Sequence, residues 1–178
     1  MAKAGVSQHT YADLQALPDD HHRYELIDGE LVVSAAPNLA HQLAVAAVYR
    51  LLFAACPPGH TVLFAPFDWV VDDRNVYEPD VLVARVADLT ERNLPRPPVL
   101  AVEVLSDFSR SRDRLRKRAA YQRAGLSYYW LVDPLIPAVT VLDRVGHELV
   151  ETAVAKGDEP LAVERPFPVT VVPAELAR

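Results

Sequence analysis

The chain has 178 residues, of which 51% are apolar and 24% charged, with a formal net charge of −6. That is enough for one domain (1–178) with a real core, at the composition of an ordinary globular protein. The acidic balance weighs against indiscriminate nucleic-acid binding, no apolar run approaches the ~18–20 residues that cross a bilayer, and one cysteine, Cys56, excludes an internal disulfide or a cysteine-built zinc site. Residues 1–8 hold no apolar segment that could act as a signal peptide, so a cytoplasmic location is expected.

Residues 10–17 suit a short helix. Asp28-Gly29 then separates two short β-prone runs, 24–27 and 30–33. A type I′ turn needs positive φ at both central residues, so this dipeptide predicts a hairpin with Ile27 opposite Glu30 and Glu25 opposite Val32. Asn38 is placed to cap a helix that carries His41, Val45, Val48 and Leu52 on one face and ends by the prolines at 57 and 58. Residues 61–71 read as one strand and 77–86 as the next, with Pro79 near the start of the second. The run 99–105 is apolar apart from Glu103 and has the length of a strand buried on both faces. A helix is expected over 110–124 with Gly125 just past its end. A strand over 128–132 and a hairpin of 139–143 with 148–154 follow. The order predicts an α/β fold: a mixed central sheet flanked by two helices, with hairpins at both ends.

Glu103 is the most informative residue. Burying a lone carboxylate costs several kcal/mol, so it needs a cation, a proton or a partner. A salt bridge to a nearby arginine is one answer. Asp80, opening the neighbouring strand after Pro79, offers another: two carboxylates completed by water and phosphate oxygens suit Mg²⁺. Asp113, Lys117 and Tyr121 are spaced by four and share a helical face. If that face turns toward the sheet, Lys117 reaches the carboxylates and could orient or deprotonate a water. A surface Asp113–Lys117 pair is the alternative. From Asp107 to Arg123 there are seven basic residues (Arg110, Arg112, Arg114, Arg116, Lys117, Arg118, Arg123) and two acids (Asp107, Asp113). That excess fits either a solvated helix face or a surface facing phosphates.

Several motifs in order, Tyr24-Glu25-Leu26-Ile27-Asp28-Gly29-Glu30-Leu31, His41, Glu78-Pro79-Asp80-Val81, Val102-Glu103-Val104-Leu105-Ser106, Asp113 with Lys117 and Tyr121, and Tyr129-Trp130-Leu131-Val132-Asp133-Pro134, resemble the Uma-type restriction endonuclease family of the PD-(D/E)xK nuclease superfamily. The resemblance runs from about residue 11 to 143. It implies a restriction-endonuclease-like core and a Mg²⁺- or Mn²⁺-dependent endonuclease acting on DNA, with Asp80, Glu103 and the Val104 carbonyl as metal ligands. It also implies Lys117 as the catalytic lysine, moved from the position that Leu105 occupies here. Glu25, His41, Asp113 and Tyr121 are supporting candidates; Glu25 is equally explicable as a solvent-facing hairpin glutamate, while His41 reads more simply as a core histidine and Tyr121 as a packing residue. A homodimer addressing two strands is an expected assembly. Leu105 keeps a second expectation open, a catalytically inactive nuclease-fold protein that binds nucleic acid or a protein partner. A third is a structural domain whose Glu103 is satisfied by arginine alone.

Overall fold

The computed structural model describes residues 8–18, 20, 22–34, 36–106 and 112–177; the side chains of 112–114 lie outside the description. The elements in chain order are α1 (Tyr11–Gln15), β1 (Arg23–Ile27), β2 (Glu30–Ser34), α2 (Leu39–Ala55), β3 (His60–Phe64), β4 (Asp68–Asp72), β5 (Asn75–Tyr77), β6 (Val81–Arg85), β7 (Asn93–Leu94), β8 (Leu100–Val104), α3 (Arg112–Arg123), β9 (Tyr128–Asp133), β10 (Ala138–Val145), β11 (Glu148–Lys156), β12 (Leu161–Val163), β13 (Val169–Val171) and α4 (Pro173–Leu176). The central sheet has six strands in the order β11-β10-β9-β8-β6-β3 and is mixed, with β8 and β9 parallel. This is the α/β architecture expected, with α2 and α3 against the sheet.

Period-two alternation in β8 sorts its side chains between two cores. Leu100, Val102 and Val104 join Ala44, Val48 and Leu52 of α2. Ala101, one residue out of phase, joins Ala120 and Tyr121 of α3, and Glu103 follows it onto that side. Each fully buried aliphatic side chain in these layers stabilises the fold by about 1.5–3 kcal/mol relative to exposure. The two helices therefore read opposite faces of one strand, and the carboxylate points at α3.

The N-terminal hairpin forms with Asp28 at φ 56° and Gly29 at φ 79°, pairing Ile27 with Glu30 and Glu25 with Val32. It does not extend the central sheet. It belongs to a second, five-stranded sheet ordered β2-β1-β5-β4-β7. The two long strands expected between the helices are each divided. Residues 61–71 form β3 and β4 in different sheets, separated at Pro66, which has no N–H to continue a ladder. Likewise the expected strand 77–86 takes in the last residue of β5 in the five-stranded sheet, the Glu78-Pro79-Asp80 crossing, and β6 in the central sheet. The elements β12, β13 and α4 have no counterpart in the sequence reading.

Helix α3 ends where Gly125 predicts, at φ 88°, with Leu126 N–H bonding Tyr121 O and Gly125 N–H bonding Gln122 O, a Schellman closure. Its orientation is fixed by the basic residues that surround Lys117. Arg116 donates to Ile27 O (3.1 Å) and Glu30 (2.8 Å), Arg118 to Leu149 O, and Arg123 to Asp28 (2.9 Å). These arginines tie the helix to two hairpins and do not form an open phosphate-facing row. The side chains of Arg110, Arg112 and Arg114 lie outside the described residues.

Candidate active site

The candidate residues come together where the two sheets meet α3. The pairing of Val81 with Val102 carries Asp80 to the strand end beside Glu103. Glu25 is brought in from β1 across the second sheet, and the inward face of α3 brings Lys117 and Tyr121. Glu25 is fully buried, and Asp80, Glu103 and Lys117 are 2%, 7% and 8% exposed. Charged groups at that depth must be satisfied by one another.

Two linked clusters do this. In the first, the Lys117 ammonium donates to Glu103 at 3.2 Å (Oε1) and 3.1 Å (Oε2), and the Tyr121 hydroxyl donates to Glu103 Oε1 at 2.6 Å. Lys117 Nζ also lies 2.8 Å from Glu25 Oε2. That contact is an ion pair by distance but is poorly aligned, so Glu25 Oε2 has no hydrogen-bond partner. The other oxygen of Glu25 accepts from Glu78 N–H at 3.0 Å. In the second cluster Asp80 Oδ2 accepts from Val104 N–H (2.8 Å) and faces His41 Nε2 (3.3 Å), while Asp80 Oδ1 accepts from Arg23 Nη1 at 2.6 Å.

The electrostatics differ across the site. Burial works to raise Asp80, but the His41 hydrogen bond and the charge of Arg23 outweigh it and hold the carboxyl below its ordinary range. Burial dominates at Glu103, and with Asp80 and Glu25 nearby it pushes this carboxyl up to about 7 against the pull of Lys117. At Glu78, burial and the neighbouring Asp68 push the carboxyl up to about 8. Burial opposes the charge on Lys117, yet Glu103 and Glu25 more than compensate and hold its pKa above the lysine norm. One ammonium is thus shared by two carboxylates: the cation is over-satisfied and Glu103 under-satisfied.

Four carboxyl groups (Glu25, Glu78, Asp80, Glu103) face two permanent cations (Arg23, Lys117) in this buried region. A hard divalent cation would offset that deficit, and carboxylate oxygens are its preferred donors. Among the described residues no three histidine, cysteine or carboxylate side chains converge as a ready cage. The coordination that fits is sparse, two carboxylates with water, as Mg²⁺ commonly uses.

The structure therefore assembles Asp80, Glu103, Lys117, Glu25, His41 and Tyr121 and puts Val104 at the same strand end through its amide. The solvent-facing reading of Glu25 and the pure packing reading of Tyr121 are corrected, since both contact the charged cluster. The Asp113 side chain lies outside the described residues. Leu105 packs partly buried on the α3 side of the sheet, with Lys117 reaching Glu103 from the helix instead. Sequence reasoning missed Arg23 and Glu78. Arg23 lies two residues before Glu25 and so shares its strand face, the one local signal that could have found it.

A protein-family model matches residues 11–175, that of Uma2, described as "Putative restriction endonuclease". Among solved structures the chain is similar to a crystal structure of "a putative nuclease belonging to DUF820" from Anabaena variabilis, at 17% identity and a TM-score of 0.72, covering 94% of this chain and 97% of that one. At that identity the likeness establishes the shared fold. No curated protein matches. The family match spans nearly the whole chain and contains every element that builds the site, so the chain belongs to the Uma2 family.

Proposed function

We propose that this nuclease-fold protein is a metal-dependent endonuclease that hydrolyses phosphodiester bonds in DNA, using Mg²⁺ or Mn²⁺. The observation that carries the reading is the Lys117 ammonium 3.1 Å from Glu103 and 2.8 Å from Glu25, buried beside Asp80. A lysine and paired carboxylates are the group types phosphodiester hydrolysis needs, and here a helix supplies the lysine that Leu105 does not.

Asp80 and Glu103 would hold the ion, with the Val104 carbonyl as a further oxygen. When bound, the ion polarises the scissile phosphate. Lys117 is held as an ammonium by Glu103 and Glu25, so its part is electrostatic: it orients the attacking water and offsets negative charge that grows on phosphorus. It is not a proton acceptor in this arrangement. Tyr121 and Glu25 hold the lysine–glutamate pair in place, and His41 orients Asp80. Among the described residues one chain presents one such site, and a homodimer would let two sites address both strands of a duplex together.

The test is cleavage of supercoiled plasmid and of labelled single- and double-stranded oligonucleotides with Mg²⁺ or Mn²⁺. Nicking that requires the cation and disappears in Glu103→Gln and Lys117→Met supports the reading. Intact substrates at enzyme excess with either ion would remove it.

A further inference from the structure

Arg23 is the one strong partner of Asp80 that neither the motif nor the metal reading uses. The two oxygens of Asp80 are not equivalent. Oδ2 already serves two protein groups, Val104 N–H at 2.8 Å and His41 at 3.3 Å. Oδ1 is left for a ligand, and the Arg23 guanidinium covers it at 2.6 Å. A cation that binds through Asp80 Oδ1 must therefore compete with a cation built into the chain.

The rest of the Arg23 guanidinium is less well satisfied than the nitrogen on Asp80. Its Nε is enclosed without a hydrogen-bond partner, and Glu78 Oε2, 3.9 Å away, likewise has none. A guanidinium offers five N–H donors in a planar fork that matches phosphate oxygens as well as carboxylate oxygens. The side chain is 24% exposed, so it has a path to solvent and to a substrate phosphate.

We propose that Arg23 is a positioning residue that keeps Asp80 closed until a nucleic-acid phosphate draws its guanidinium away, so that the metal and the phosphate load together. This rests on the metal-dependent nuclease reading above. The exchange is charge-balanced: Arg23 trades one anionic partner for another, and Asp80 trades the guanidinium for the divalent ion. Binding of phosphate and of metal is then coupled, and the coupling is reciprocal. A free ion in the absence of substrate finds Asp80 occupied, which suppresses idle metal loading.

Calorimetric titration with Mn²⁺, alone and with saturating thymidine 3′,5′-bisphosphate, tests this on the full chain. In the wild type, the bisphosphate is expected to tighten Mn²⁺ binding at least tenfold. In R23M, and independently in R23Q, Mn²⁺ alone should bind about tenfold tighter than to the wild type, and the bisphosphate should add less than threefold. Either variant decides if it keeps the wild-type melting profile. R23K, which retains a cation, should leave Mn²⁺ affinity within threefold of wild type. Wild-type affinity that does not respond to bisphosphate overturns the proposal without any variant. So does equal tightening in wild type and R23M. If Mn²⁺ binding depends on Glu103 but not on Arg23, the metal site stands and the role of Arg23 falls. If Mn²⁺ binds none of these proteins even with bisphosphate, the metal reading fails and takes this proposal with it.

Discussion

Among the described residues two places bury aspartate on the central sheet or at its edge, and they satisfy it differently. Asp143 on β10 is 5% exposed and lines a cleft of about 170 Å³ with Val141, Thr152, Val163 and Arg165. Its Oδ2 accepts one 2.6 Å bond from Arg165, whose side chain is 64% exposed, and its Oδ1 has no partner. Asp80 is buried to a similar degree but is bound by Arg23, His41 and a backbone amide, beside a second cluster in which Glu103 and Glu25 share Lys117. Burial of a carboxylate is therefore not what marks a site, because both regions show it. The mark is crowding: more carboxylates than cations in one enclosed place, a condition unfavourable to the fold and favourable to a divalent ion.

The largest expected effect separates the two regions directly. On the proposed function Glu103→Gln should reduce metal-dependent cleavage by about 10³-fold or more, since it would remove an electrostatic group at the reacting centre. Asp143→Asn should leave cleavage within twofold of wild type. Initial rates on supercoiled plasmid measure both. Equal loss in the two variants would mean that the crowded site is no more functional than the isolated one.

The second prediction uses pH. Glu103 is pushed up to about 7 from an ordinary 4.5, so the folded state prefers its protonated form. That contribution to stability is complete below pH 4.5 and lost as pH rises through about 7. Two and a half units correspond to about 3 kcal/mol, and sharing with neighbouring charges lowers this to about 2 kcal/mol. Urea unfolding of the metal-free protein at pH 5 and pH 8 should show wild type losing about 2 kcal/mol relative to Glu103→Gln over that interval. Saturating Mg²⁺ should remove most of the difference. In Asp143→Asn the wild-type pH dependence should persist. A pH-independent gap between wild type and Glu103→Gln would show that Glu103 is not under-satisfied.

The contrast between the regions also explains what could be read from the residues in order. Asp28-Gly29, Asn38 and Gly125 act through their own backbone or that of near neighbours, and the I′ turn, the helix cap and the helix end all occur where they predict. Glu103 was legible because one acid in an apolar strand is a local anomaly. Residues 61–71 and 77–86 read as continuous strands because their composition is continuous. That they cross between two sheets depends on pairing with β1 and β7, which no local pattern states. The pairing of Arg23 with Asp80 was illegible for the same reason: the two are 57 positions apart. The face of Glu25 was ambiguous because a hairpin with one buried side and one open side fixes alternation but not which side is covered.

A third prediction concerns Asp143 itself. Arg165→Ala leaves that buried carboxylate without its hydrogen-bonded cation. The full penalty for stranding a buried acceptor is about 1–3 kcal/mol, and the high exposure of Arg165 puts the expectation at about 1 kcal/mol. Thermal or urea unfolding should register the loss while cleavage is unchanged. A larger activity loss than stability loss would break the division between a supporting pair and a working cluster.

Tyr121→Phe gives the smallest effect and the finest discrimination. The ring packs against Trp69, Tyr77 and Tyr129, contacts that phenylalanine retains, so only the 2.6 Å bond to Glu103 is lost. A bond of this kind contributes about 1 kcal/mol net. It donates to the carboxylate and so favours the charged form of Glu103. Without it the Glu103 carboxyl should titrate at higher pH, and cleavage at neutral pH should fall about three- to tenfold and recover toward alkaline pH. A pH–rate profile distinguishes this from plain destabilisation, which would lower the whole curve without moving it. If the profile stays in place while stability drops, Tyr121 belongs with the aromatic core, and its hydroxyl has no part in the charge state of Glu103.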